Sequence, residues 1–165
     1  MRALLDTMRT HLRTLLLAAL AAGASPAMAQ PAAGQVIDKV QVRQQNGCYL
    51  IAVRFASPMQ YLSHFPPESG DDLRIRIEPV LPVIGDEQAL QGRASIHPRG
   101  ADGLPLDDVL YEGDQPGGPF LTLQFSHAVT FLVRQGDDFR SILIQVRPPD
   151  ADPSLACPPI HPSRK

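Results

Sequence analysis

The stretch Gly118–Arg147, GPFLTLQFSHAVTFLVRQGDDFRSILIQVR, decides the fold. Leu121, Leu123 and Phe125 alternate with Thr122 and Gln124, and Val129, Phe131 and Val133 alternate with Thr130 and Leu132. Ile142, Ile144 and Val146 then alternate with Leu143 and Gln145. Successive side chains of a strand point to opposite faces, so this period of two predicts three short half-buried strands. Gln135-Gly136-Asp137-Asp138 between the second and third runs reads as a hairpin turn.

Much of this stretch occurs twice. Ile37-Asp38-Lys39-Val40 resembles Leu106-Asp107-Asp108-Val109, and the segment Phe55 to Leu62 matches Phe125 to Leu132. Both copies continue into a shared pattern, Gly70-Asp71-Asp72-Leu73-Arg74 and Gly136-Asp137-Asp138-Phe139-Arg140. The phases then part: Ile75 and Ile77 stay in step with Leu73, whereas Ile142 and Ile144 are out of step with Phe139. Either a β-bulge intervenes near Arg140 or the last register of the duplication slips by one.

The first copy supplies the same kind of strands. Val36 to Val42 forms the first, with Val36, Val40 and Val42 on one face, and Gln45-Asn46-Gly47 is a turn. Tyr49, Ile51, Val53 and Phe55 alternate with Leu50, Ala52 and Arg54. Met59 to Leu62 follows, His64-Phe65-Pro66-Pro67 breaks regular structure, and Gly70-Asp71-Asp72 turns into Leu73 to Ile77. Two copies that cannot each bury an apolar face predict an all-β, two-sheet sandwich built from duplicated half-domains of short antiparallel strands. The halves are residues 36–78 and 106–147 of one domain, 36–147. Glu78 to Pro105 links them, with at most one helical turn at Asp86 to Leu90, and residues 148–165 form a Pro-rich extended tail.

The start of the chain reads as a signal peptide over residues 1–29. Arg2, Arg9 and Arg13 precede the apolar run Leu15 to Ala24, and Ala27-Met28-Ala29 supplies a small-residue cleavage site. The apolar run is short of the roughly 20 residues that span a bilayer, although an uncleaved N-terminal anchor is the competing reading. Export places the chain in the periplasm. Of 15 Lys and Arg and 17 Asp and Glu, processing leaves 12 against 16, a net charge of −4 with His neutral. That balance argues against nucleic acid as a partner, because such binding rests on a basic surface. Cys48 and Cys157, an even pair in an exported chain, read as a disulfide, with two free buried thiols as the alternative.

Chemistry is sparse. His64, His97, His127 and His161 lack metal-ligand spacing, and no nucleophile elbow, zinc-protease helix or phosphate loop is present. Neither a metal nor a cofactor is therefore expected. Asp71-Asp72 and Asp137-Asp138 suit turns better than calcium, which takes about six to eight oxygens. Arg54, Arg74 and Arg76 sit opposite apolar strand positions, and Arg140 repeats the place of Arg74 in the duplicated pattern. A row of guanidinium forks on one solvent face can grip carboxylates, or can simply keep an exposed sheet soluble. Tyr111 and Phe65 are the aromatic rings that look available for stacking on a sugar.

The exported start, the paired halves and the strand grammar PFLTLQFSHAVTFLVRQGDDFRSILIQV resemble the AMIN-type module of bacterial envelope proteins. The resemblance covers roughly Val36 to Val146. It implies a β-sandwich of two similar halves and a role in directing envelope proteins to peptidoglycan. The expected function is a non-enzymatic periplasmic binding or localisation module for peptidoglycan or an envelope complex. The site expected for it is Arg54, Arg74, Arg76, Arg140 and Tyr111. Two alternatives stand beside it: an assembly subunit that pairs through a sheet edge with an envelope protein, and a small secreted hydrolase.

Overall fold

The computed structural model describes residues 35–80, 87–98, 103–152 and 154–160. The signal peptide and its cleavage site lie outside the described residues, as do Asp86 of the expected helical turn and residues 161–165 of the tail. Among the described residues no helix is long and apolar enough to cross a membrane.

Eight antiparallel strands carry the alternating runs: β1 (Ile37–Gln45), β2 (Cys48–Phe55), β3 (Met59–Phe65), β4 (Ser69–Pro79), β5 (Arg93–Ile96), β6 (Leu106–Glu112), β7 (Phe120–Gln135) and β8 (Ser141–Arg147). One helical turn, α1 (Glu87–Leu90), precedes β5. The first hairpin closes on two residues, since Gln45 pairs with Cys48. Asn46 and Gly47 both take positive φ, 53° and 72°. That is the primed turn whose twist matches the strands it joins, and it favours Asn-Gly because neither residue is strongly penalised there.

The first two runs of the deciding stretch are one strand, not two. β7 spans 16 residues and bends at Phe125–Ala128, where its register with β4 jumps from Asp72↔Gln124 to Gly70↔Val129. Before the bend β7 lies between β6 and β4; after it, β8 replaces β6. Two layers result. Sheet I holds β1, β2, β8 and the second half of β7, and sheet II holds β5, β6, the first half of β7, β4 and β3.

The duplication is reproduced pairing by pairing. In the first half Ile37 pairs with Phe55 and the register shifts before Lys39 pairs with Arg54. In the second, Leu106 pairs with Phe125 and shifts before Asp108 pairs with Gln124. The hairpin β3–β4 is matched by the end of β7 with β8. Most consequentially, the last strand of each half enters the sheet of the other. Val53 of β2 faces Ile142 of β8, and its counterpart Leu123 of β7 faces Leu73 of β4.

Leu73 therefore corresponds to Ile142, so the register of the repeat slips by three residues rather than one. The shared Gly-Asp-Asp pattern misled the alignment. Gly136–Asp138 belongs to the β7–β8 turn, whereas Gly70–Asp72 lies inside β4. An odd slip restores the phase, which is why Ile142, Ile144 and Val146 are all fully buried.

The inner faces share one core, in which Phe55, Ile51, Leu73, Ile75, Tyr111, Leu121 and Ile144 are almost wholly excluded from solvent. The bulge after Ile37 brings that residue into the core alongside Val36. Removing an aromatic ring from such a position costs about 3 to 5 kcal/mol, so Phe55→Ala would be among the most damaging single changes. Cys48, at the head of β2, is bridged to Cys157 of the tail with Cα atoms 5.6 Å apart. The bridge and two side chains of β8 hold the tail on sheet I: Arg147 Nη2 donates to Leu155 O at 3.0 Å, and Gln145 Nε2 donates to Pro158 O.

Candidate functional site

The register of sheet II places its outward side chains in rows. One row runs Ser95, Leu110, Thr122, Arg74, Phe65 across β5, β6, β7, β4 and β3. The next runs Arg93, Glu112, Phe120, Arg76, Ser63. Arg74 and Arg76 follow from the alternation of β4, whose Leu73, Ile75 and Ile77 turn inward. The Arg74 guanidinium lies over the Phe120 ring, 3.9 Å from its centroid, a geometry in which the ring quadrupole attracts the cation. Phe65, directly opposite Arg74, is 75% exposed.

Several other polar groups of this face are already engaged. Arg93 donates to both carboxylate oxygens of Asp114, at 2.9 and 3.0 Å, and that contact raises the Arg93 pKa above its ordinary value. Glu112 accepts from Thr122 Oγ1 at 3.0 Å and from Gln115 Nε2 at 3.3 Å. Arg74 and Arg76 differ: among the described residues neither has a carboxylate within ion-pair distance. Gly118, at φ 130°, carries the chain past Arg76 in a backbone conformation that residues with side chains rarely adopt.

The structure divides the expected arginine row. Arg54 is on β2, on the outer face of sheet I, and sits 3.5 Å from Asp38 in an exposed ion pair. Arg140 is in the β7–β8 turn, where its carbonyl accepts from Phe55 N at 2.7 Å; it does not repeat the place of Arg74. In the true register Arg74 corresponds to Leu143. The single row of four is thus corrected to one pair, Arg74 and Arg76, with Arg54 and Arg140 elsewhere.

Tyr111 also moves out of the site. It is 1% exposed, its ring is in the core, and its hydroxyl donates to Leu90 O at 2.6 Å. Burial pushes its pKa up to about 12. The aromatic groups that do line the face are Phe65 and Phe120. Phe120 was missed because it opens a strand next to Gly118 and Pro119, where its facing depends on the β4 register rather than on local alternation.

Among the described residues the histidines do not assemble a site. His64 Nδ1 lies 2.6 Å from Tyr61 Oη and its Nε2 is 3.0 Å from Pro67 O, which pins the β3–β4 hairpin. His97 lies 3.5 Å from Asp108. Among the described residues no three His, Cys, Asp or Glu side chains are grouped to hold a metal ion. A shallow pocket of about 370 Å³ between the tail and sheet I is lined by Arg43, Tyr49, Gln145, Pro158 and Ile160 together with the bridged Cys48.

Set together, these features define an all-β, antiparallel, disulfide-tied domain with an arginine–phenylalanine platform on one sheet. Comparison with protein-family models, with curated proteins and with solved structures finds no match to this chain.

Proposed function

We propose that the chain is a non-enzymatic binding module of the bacterial periplasm, and that the outer face of sheet II holds peptidoglycan. The observation that carries this reading is the pairing of two uncompensated guanidinium groups, Arg74 and Arg76, with the rings of Phe65 and Phe120. Carboxylates of a glycan-peptide polymer suit guanidinium forks, and the exposed ring of Phe65 is open to a sugar while Phe120 supports the Arg74 guanidinium. The disulfide fits an oxidising compartment, and the resemblance to AMIN-type modules points to the same class of ligand.

Sedimentation with purified sacculi tests it. Arg74→Gln with Arg76→Gln should abolish co-sedimentation, and Phe65→Ala should weaken it. Arg54→Gln, on the other sheet, should leave it unchanged. Exposed charges contribute about 0 to 1 kcal/mol to folding, so melting temperatures should barely move. Added salt should weaken binding, because exposed charge contacts are screened within about 8 to 10 Å. Unchanged sedimentation of the double variant would overturn the proposal.

A further inference from the structure

The two halves match in every pairing but one. β6, at the rim of sheet II, is covered by β5, with Arg93 opposite Glu112, Ala94 opposite Tyr111 and Ile96 opposite Val109. Its counterpart at the rim of sheet I is β1, which pairs with β2 alone; among the described residues no strand takes its outer edge. The consequence is visible in burial. Val109 and Tyr111 are sealed, with Ala94, Ile96 and α1 packed against the same core, while the equivalent Val40 and Val42 stay half-buried.

We infer that the open edge of β1 docks an extended segment of a partner protein, added antiparallel as β5 is added to β6. The segment carries acidic residues four positions apart, with small apolar residues between them. An unpaired edge offers a row of backbone donors and acceptors, and alternate side chains give such a contact its specificity. Here the charges decide the occupant. β6 presents Asp108 and Glu112 outward, and its covering strand answers with His97, 3.5 Å from Asp108, and with Arg93 opposite Glu112. β1 presents Lys39 and Arg43 at the corresponding positions, so the sign is reversed. A second copy of β1 centred on Gln41 would set Lys39 against Arg43, and β5 of another copy would set Arg93 against Arg43. Like charges directly opposite destabilise a strand pair. A segment with acids at the places of Arg93 and His97, and apolar residues at those of Ala94 and Ile96, satisfies both edge and charge.

The test uses the full chain and two labelled peptides. One has the sequence around Arg93–His97 unaltered; the other has glutamate in place of Arg93 and His97. Fluorescence anisotropy should show the acidic peptide binding, and hydrogen exchange should slow at the β1 amides. Lys39→Glu with Arg43→Glu should weaken that peptide about tenfold and should favour the unaltered one instead, since two attractive cross-strand pairs become repulsive. Both side chains are exposed, so an unchanged melting curve should accompany the switch. Arg74→Gln with Arg76→Gln should leave peptide binding intact, which separates this edge from the peptidoglycan face. Equal binding of the two peptides, no saturable binding, or protection on sheet II instead of β1 would overturn the inference. So would a dimer that the same charge reversal disperses, which would give the edge to a second copy.

Discussion

Gln135 caps the edge of β3 with its side chain: Tyr61 N donates to its Oε1 at 2.6 Å, across 74 residues of sequence. The same amide donates through Nε2 to Met59 O and to Ser141 O, both at 3.1 Å. One side chain thus satisfies three backbone groups where β3, β7 and β8 converge. Gln135→Ala would leave part-buried backbone groups without partners, at about 1 to 3 kcal/mol. Urea unfolding should show a lower midpoint with an unchanged slope. A midpoint equal to that of the parent chain would mean water replaces the amide without loss.

The Cys48–Cys157 bridge closes a loop over a separation of 109 residues. Constraint of the unfolded chain by so long a loop is worth on the order of 5 kcal/mol in the chain-entropy model, an upper value because residual structure in the unfolded chain and native strain reduce it. Cys48→Ser should melt at lower temperature and lose the tail to limited proteolysis first. Two thiols alkylated in native, non-reduced protein would contradict the bridge.

Tyr111 makes folding sensitive to alkali. Its pKa is raised by burial from 10.0 to about 12, so the folded state favours the neutral phenol. The associated stability is fully present below pH 10, the unfolded value, and is lost as pH rises toward 12. Tyr111→Phe should flatten this part of the stability profile while lowering stability at neutral pH, since Leu90 O loses its donor. An unaltered alkaline limb in Tyr111→Phe would assign that limb to other groups.

At the acid end the turn residue Asp138 matters. Partial burial pushes its pKa up, but Arg140 N and Ser141 Oγ, both donating at 2.9 Å, and the charge of Arg54 more than offset this and hold it below 3.8. The carboxylate therefore stabilises the β7–β8 turn above that ordinary value, and the contribution fades as pH falls through the lowered pKa. Asp138→Asn should be less stable at neutral pH, and the gap to the parent should narrow in acid. A gap independent of pH would rule the carboxylate out as its source.

What was legible in the sequence was what local alternation encodes. The inward sets of β2, β4, β7 and β8 follow from period two, and the duplication was visible in Ile37 to Val40 and in Phe55 to Leu62. Four features were not legible, each for its own reason. β5 is the four residues Arg93–Ile96, too short a run for its alternation to signal a strand, and is a strand because β6 offers it an edge. The Gly-Asp-Asp match aligned a turn with a strand interior, since Asp and Gly serve both a turn and a bulge. Tyr111 looked available for stacking on a sugar, yet the shift between Leu106 and Asp108 points it inward. The paired arginines of β4 were readable from alternation; their separation from Arg54 was not, because it depends on which strand enters which sheet.

That exchange of last strands has a consequence for what each half is. A lone first half would hold β4 with no β7 beside it and β2 with no β8, so neither of its central strands would be flanked on both sides. Two identical halves could repair each other only by reciprocal donation, as a strand-swapped homodimer about a two-fold axis. The present chain is such a pair written in tandem. Joining the donors covalently makes each exchange intramolecular, so assembly of the two sheets no longer depends on protein concentration.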